Sequence, residues 1–211
     1  MADDSIALDP ASDGGAGRSI GTGALENADI VLSTTAAFIS KAIRKVTDSP
    51  VSHAMLYVGD GLIVDATGHG VNVRPLAEAL CDASLAVAYR HPAMTPGKAM
   101  VVRDFAGQRL GAKYSVRGIV GQLGAKIDNA VFCDANDVHR LTGKGNCQVS
   151  VKRLNMSVAS DDQVFCSQLV VEAYQRAGVP LTRTPPSFTS PEELVRLRLA
   201  DTIRYVGHLK A

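Results

Sequence analysis

The sequence is short of cysteine, of proline, of charge of one sign and of long apolar runs. Its four cysteines, Cys81, Cys133, Cys147 and Cys166, fall far below the density of a disulfide scaffold in 211 residues, and no CxxC pair marks a zinc ribbon or a thioredoxin-like motif. Lys and Arg number 22 against 21 Asp and Glu, a net charge of +1, and the charges form no run of five or six. A nucleic-acid binder working through phosphate neutralisation is therefore excluded. No stretch reaches the roughly 18 consecutive apolar residues of a membrane span, so no integral membrane segment is expected. The first residues carry acids at Asp3 and Asp4 and no apolar core, so no secretory signal is encoded. What is there, 46% hydrophobic residues with 19 Gly and 9 Pro, describes one globular domain. A chain of this length buries roughly 70% of its unfolded surface and needs no disulfide.

Residues 1–27, rich in Gly, Ala, Ser and Asp and without aromatic residues or periodicity, read as a flexible leader. From residue 28 to 211 the elements are short. Asp29-Ile-Val-Leu-Ser33 reads as a buried strand, and Phe38, Ile39, Ala42, Ile43 and Val46 have helical spacing. Ser52–Val58 and Leu62–Thr67 read as a hairpin about Gly59-Asp60-Gly61. Further strands are expected at Val71–Arg74 and Leu85–Tyr89, with a helical link at Pro75–Leu80, and helices at about 98–110 and 115–127. The stretch 128–162 lacks a period and reads as an insertion or loop, with a weak strand at Gln148–Val151. Cys166, Leu169, Val170, Ala173, Tyr174 and Ala177 then recur at helical spacing, with Gly178 as the stop. Ser190-Pro-Glu-Glu193 is a capping box opening a helix to about Leu199, and Ile203–Leu209 is a last strand. This order, without regular βαβ alternation, implies an α+β fold with an antiparallel sheet packed against helices.

The chemistry-bearing candidates sit on these elements. Cys166 falls in the first turn of its helix, where unpaired N–H groups and the positive end of the macrodipole favour a thiolate and could receive an oxyanion. Its bland alternative is a small residue filling the buried stripe. His53 begins an alternating strand, sharing a face with Met55 and Tyr57, and is the best placed of five histidines to act as base. His69 lies between glycines, His91 precedes Pro92, His139 is in the unassigned stretch and His208 is on the last strand. A three-residue connection at Gly59 to Gly61 pairs Val58 with Leu62, Met55 with Asp65 and His53 with Thr67, bringing Asp65 diagonal to His53 as the third group. A two-residue connection would turn Asp65 to the other face. Asp29 is the alternative third residue. Cys133 and Cys147 are read as unpaired thiols, with a disulfide as the alternative, and with His139 they lack the paired spacing of a metal site. Cys81 is read as packing.

The runs Ala28-Asp-Ile-Val-Leu32, Ser52-His-Ala-Met-Leu-Tyr-Val-Gly59, Leu62-Ile-Val-Asp-Ala66 and Val164-Phe-Cys-Ser-Gln-Leu-Val-Val-Glu-Ala-Tyr174 together resemble the permuted NlpC/p60 superfamily, in its YiiX/YebB-like group. The likeness covers residues 28 to about 208. It implies a circularly permuted papain-like fold, with the His-bearing strand ahead of the nucleophile helix, and a triad carried over to Cys166, His53 and Asp65. Leu110-Gly-Ala-Lys-Tyr114 resembles the family's glycine and tyrosine motif, which implies an oxyanion role for Tyr114. The segment between Tyr114 and Cys166 is long for the family.

The resemblance implies a cysteine hydrolase of amide bonds acting on peptidoglycan stem peptides, with no metal or organic cofactor. With no export signal encoded, such a substrate points to a cytoplasmic protein in the producer, delivered by a secretion machine such as type VI to the periplasm of a target cell. An antibacterial effector of that kind would need an immunity protein as partner. The alternatives are a lipid or acyl-amide hydrolase or acyltransferase using the same Cys-His pair, and a non-catalytic binding module.

Overall fold

The computed structural model describes residues 18–35, 51–114 and 163–209. The helix expected from Phe38 to Val46, the helix at 115–127, the insertion at 128–162 with its weak strand, and Cys133, His139 and Cys147 lie outside the described residues. Nine described strands are β1 (Ser19–Ile20), β2 (Ile30–Thr35), β3 (His53–Gly59), β4 (Leu62–Thr67), β5 (Gly70–Pro75), β6 (Ala83–Arg90), β7 (Lys113–Tyr114), β8 (Gln163–Val164) and β9 (Arg204–Leu209). The described α-helices are α1 (Leu76–Leu80), α2 (Pro96–Gln108), α3 (Cys166–Arg176) and α4 (Pro191–Leu199). Seven strands form one sheet in the order β1-β9-β6-β2-β3-β4-β5, antiparallel except for the parallel β1–β9 edge. The architecture is α+β.

The central strands are buried on both faces, which is why β2 and β3 read as nearly continuous apolar runs. Ile30, Leu32, Ala54, Leu56, Val64, Ala66, Val87 and Tyr89 face a core shared with α2, α3 and α4. Val31, Met55, Tyr57, Ile63, Ala86 and Ala88 face a second, smaller core closed by Leu76, Ala79 and Leu80 of α1. α3 packs on β3, β4 and α2. Its apolar stripe is buried as its spacing predicts, but Ser167, Gln168 and Val171 are buried too, because the segment around Thr189 lies over it and its carbonyl accepts from Ser167 Oγ at 2.6 Å. The capping box of Ser190 and Glu193 forms in both directions.

Three expectations are corrected. Residues 18–27 are not a loose leader: β1 lies beside β9, and a 3-10 turn spans Thr22–Ala24. Cys81 is exposed, since α1 turns Leu76, Ala79 and Leu80 to the sheet and leaves the next residue off that face. The β3–β4 hairpin has a two-residue connection: Gly59 pairs Leu62, with Asp60 and Gly61 at φ 52° and 72°, the positive values a type I′ turn requires. A register shift between Tyr57 and Gly59 inserts one residue on β3, so Tyr57 still pairs Ile63 and Met55 still pairs Asp65. The bulge restores the facing that the shorter turn alone would have reversed.

Candidate active site

Each of the four residues gathered at the site comes from a different element, and each element has a local reason to hold it. His53 opens β3. Asp65 lies on β4 opposite Met55, and its Oδ2 is 2.8 Å from His53 Nε2. Asp65 is fully buried, 0% exposed. With Nε2 occupied, the ring nitrogen left for another partner is Nδ1, and the ring hydrogen-bonds the Cys166 thiol. Cys166 is the first residue of α3, 3% exposed, and its sulfur is also within hydrogen-bonding reach of the backbone N–H groups of Ala54 and Ser167.

The start of α3 is built differently from the starts of α2 and α4. Thr95 and Ser190 cap those two helices with side-chain oxygens, whereas the position before Cys166 is Phe165, which has extended backbone and no capping oxygen. The N–H groups of the first turn of α3 are thus left to the thiol and whatever it attacks. Tyr114 arrives through the parallel pair β7–β8, in which Tyr114 stands opposite Val164, two residues before Cys166. That segment is fixed to β5, since Val71 N–H donates to the Ala112 carbonyl and Gly111 N–H to the Val71 carbonyl, each at 2.9 Å. Gly70 permits the approach: its φ is +100°, and a Cβ there would lie 2.6 Å from the Ala112 oxygen.

The electrostatics follow from burial opposed by pairing. Burial disfavours a charged His53, but the hydrogen bond to Asp65 and then the bond and charge of Cys166 raise its pKa to about 10. Burial likewise opposes a Cys166 thiolate, and the His53 hydrogen bond and charge, with the Ala54 and Ser167 N–H groups, bring the thiol below its ordinary value. Asp65 is pushed up by burial and brought below the ordinary carboxylate value by His53 and Arg74. The site therefore favours a thiolate–imidazolium pair. Burial, with the charges of Cys166 and Asp65, holds the Tyr114 phenol well above its ordinary value, so it stays an O–H donor.

The alternative third residue, Asp29, is also fully buried, but its carboxylate is taken by Arg90, at 2.7 Å to both oxygens, and by the Glu26 N–H at 2.8 Å. Asp65 is the acid that meets His53. His69 is exposed, His91 stands beside the Tyr174 ring and His208 bonds the Tyr205 hydroxyl. Arg74 was not among the sequence candidates, yet its Nη2 lies 2.6 Å from Asp65 Oδ2. A signal was available: a two-residue turn at Gly68-His69 pairs Arg74 with Ile63, which shares the face of Asp65. Among the described residues no group of three or more His, Cys, Asp or Glu side chains is placed to hold a metal ion, and no helix is long and apolar enough to cross a membrane.

No family model matches the sequence. Among solved structures, the chain is similar to the metalloprotein YiiX from Escherichia coli O157:H7, with a TM-score of 0.49 and 20% identity, over 72% of this chain and 66% of that one. Among curated proteins it is 30% identical over 202 residues to the probable lipoprotein peptidase YaeF of Escherichia coli K12, covering 88% of this chain and 71% of YaeF. With that identity carried across most of both sequences, the chain belongs to the YaeF family.

Proposed function

We propose that this protein is a cysteine peptidase of circularly permuted papain-like fold, with Cys166 as nucleophile, His53 as general base and acid, Asp65 as the group orienting the imidazole, and Tyr114 as an oxyanion donor. One observation carries the reading: a thiol at a helix start without a capping side chain hydrogen-bonds an imidazole whose other nitrogen is held by a buried carboxylate. The similarity to YaeF, a probable lipoprotein peptidase, supports an amide-bond substrate.

The thiolate Sγ attacks the scissile carbonyl carbon, forming a C–S bond as the carbonyl π electrons move to oxygen. The N–H groups of the first turn of α3 and the Tyr114 hydroxyl stabilise that oxyanion. The oxyanion collapses, the C–N bond breaks, and the His53 imidazolium gives its proton to the departing amine. Neutral His53 then takes a proton from water, whose oxygen attacks the thioester carbonyl. Collapse of the second intermediate releases the carboxylic acid and returns Cys166 as thiolate beside a protonated His53. The balanced sum is hydrolysis of one amide.

The substrate we propose is a peptidoglycan stem peptide, which rests on the family resemblance of the motifs. Purified protein is incubated separately with muropeptides, with an acylated peptide and with an acylated amine, and the products are read by mass spectrometry. Muropeptide cleavage is expected, lost by at least about 10³-fold in Cys166→Ala and by about 10²–10⁴-fold in His53→Gln. Cleavage confined to the acylated compounds would replace the stem-peptide substrate. Turnover undiminished in Cys166→Ala would sink the cysteine mechanism.

A further inference from the structure

We propose that Arg74 is a positioning residue of this site, its guanidinium holding the Asp65 carboxylate on His53 by sharing Oδ2 with the imidazole. The proposal rests on the reading of Cys166 and His53 as the reacting pair. Asp65 is completely buried, and an isolated carboxylate in such a place takes up a proton instead of staying ionised. A carboxylate offers about four lone-pair sites, and His53 fills one of them. Arg74 supplies two further donors: Nη2 to Oδ2 at 2.6 Å and Nε to Oδ1 at 3.4 Å, a fork that fixes the plane of the carboxylate as well as its charge.

Arg74 is not required to hold β5 in place. The β4–β5 ladder is already continuous through six register pairs, from Thr67 with Gly70 to Leu62 with Pro75. The charged and titratable groups around the carboxylate come from every neighbouring element: His53 from β3, Arg74 from β5, Tyr114 from β7 and, beyond the imidazole, Cys166 from α3. Glu78 of α1 and Asp82 also act on Arg74 through their charges. With a side-chain exposure of 27%, the guanidinium lies between the buried carboxylate and solvent. Without it, Asp65 protonates at a higher pH, the imidazolium loses its partner, and the thiolate loses the imidazolium.

The test needs no substrate. Alkylation of Cys166 by iodoacetamide is followed as a function of pH, resolved on the Cys166 peptide by mass spectrometry so that Cys81, Cys133 and Cys147 do not contribute. In Arg74→Met the acid limb should move up by about one pH unit, which is about tenfold slower labelling below the wild-type limb. Arg74→Lys, which keeps the charge and loses the fork, should move it less. On an Asp65→Asn background Arg74→Met should add nothing, because its effect runs through that carboxylate. Superimposed profiles for wild type and Arg74→Met, or an equal shift with Asp65→Asn already present, overturn the proposal. If Arg74→Met fails to fold by thermal melting, Arg74→Gln and Arg74→Lys carry the comparison, and an unshifted limb in both overturns it. A wild-type Cys166 that labels only as an ordinary alkaline thiol would instead fail the nucleophile reading itself, and this proposal with it.

Discussion

An ordinary thiol titrates near 9.0 and an ordinary imidazole near 6.5, so in water a Cys and a His at neutral pH are both uncharged. In this protein the order is reversed, and the reversal has a signature in stability. Above pH 6.5, between the lowered Cys166 value and 9.0, the unfolded chain keeps one proton on the thiol and the folded protein keeps one on His53, so folding neither takes up nor releases a proton from this pair. Below the lowered Cys166 value the folded thiol is protonated as the unfolded one is, so the Cys166 part of the contribution is lost as pH falls through that value. Above 9.0 the unfolded thiol ionises while folded His53 stays charged, so the contribution declines as pH rises toward about 10. We expect the melting-temperature difference between wild type and a Cys166→Ala, His53→Gln double variant to be level just below pH 9 and to shrink as pH rises from there toward about 10. A difference that does not shrink above pH 9 would show that the pair is not reversed.

Elements turn these residues toward one another through small departures from regularity. The bulge beside the Asp60-Gly61 turn keeps Asp65 on the face of His53, and the missing side-chain cap on α3 leaves its N–H groups free for chemistry. The close approach at Gly70 lets the 111–114 segment lie against β5 and so delivers Tyr114. Gly70→Ala combines an unfavourable backbone angle with a Cβ pressed on a backbone carbonyl, which no side-chain rotation relieves. It should cost about 1–3 kcal/mol in urea unfolding and lower kcat more than it raises KM, because Tyr114 moves relative to Cys166. An unchanged kcat would remove Tyr114 from the oxyanion role.

At the scale of the molecule, the start of the described chain is fastened to the sheet and to α3 by one part-buried knot. Arg90 of β6 reaches Asp29, Glu26 and the Ala24 carbonyl, while the Tyr174 hydroxyl of α3 donates to the carbonyl of Ala28. Burial raises the Asp29 pKa against the pull of Arg90, so removing Arg90 leaves a buried charge without its cationic partner. Arg90→Met should lose about 3–5 kcal/mol in urea at neutral pH. The loss should narrow as pH falls toward the ordinary carboxylate value of 3.8, where Asp29 can take up a proton; a deficit that does not change with pH would contradict the buried-charge account.

Much of this was legible in the sequence because it depends on local physics. Apolar spacing marked α3, the Ser190 to Glu193 box marked α4, Gly-Asp-Gly marked the hairpin, and the strand start made His53 the histidine to choose. Those signals act within a few residues, where backbone angles, caps and periodicity are set by neighbours in the chain. The tertiary structure decided what depends on partners far along it. It seated Arg90 on Asp29, paired β1 with β9, exposed Cys81 and brought Arg74 to Asp65. Asp65, which the hairpin register favoured, and its alternative Asp29 are both buried, and their roles were separated by which arginine or imidazole folding brought to each, because a buried carboxylate's role is set by the charges that come to surround it.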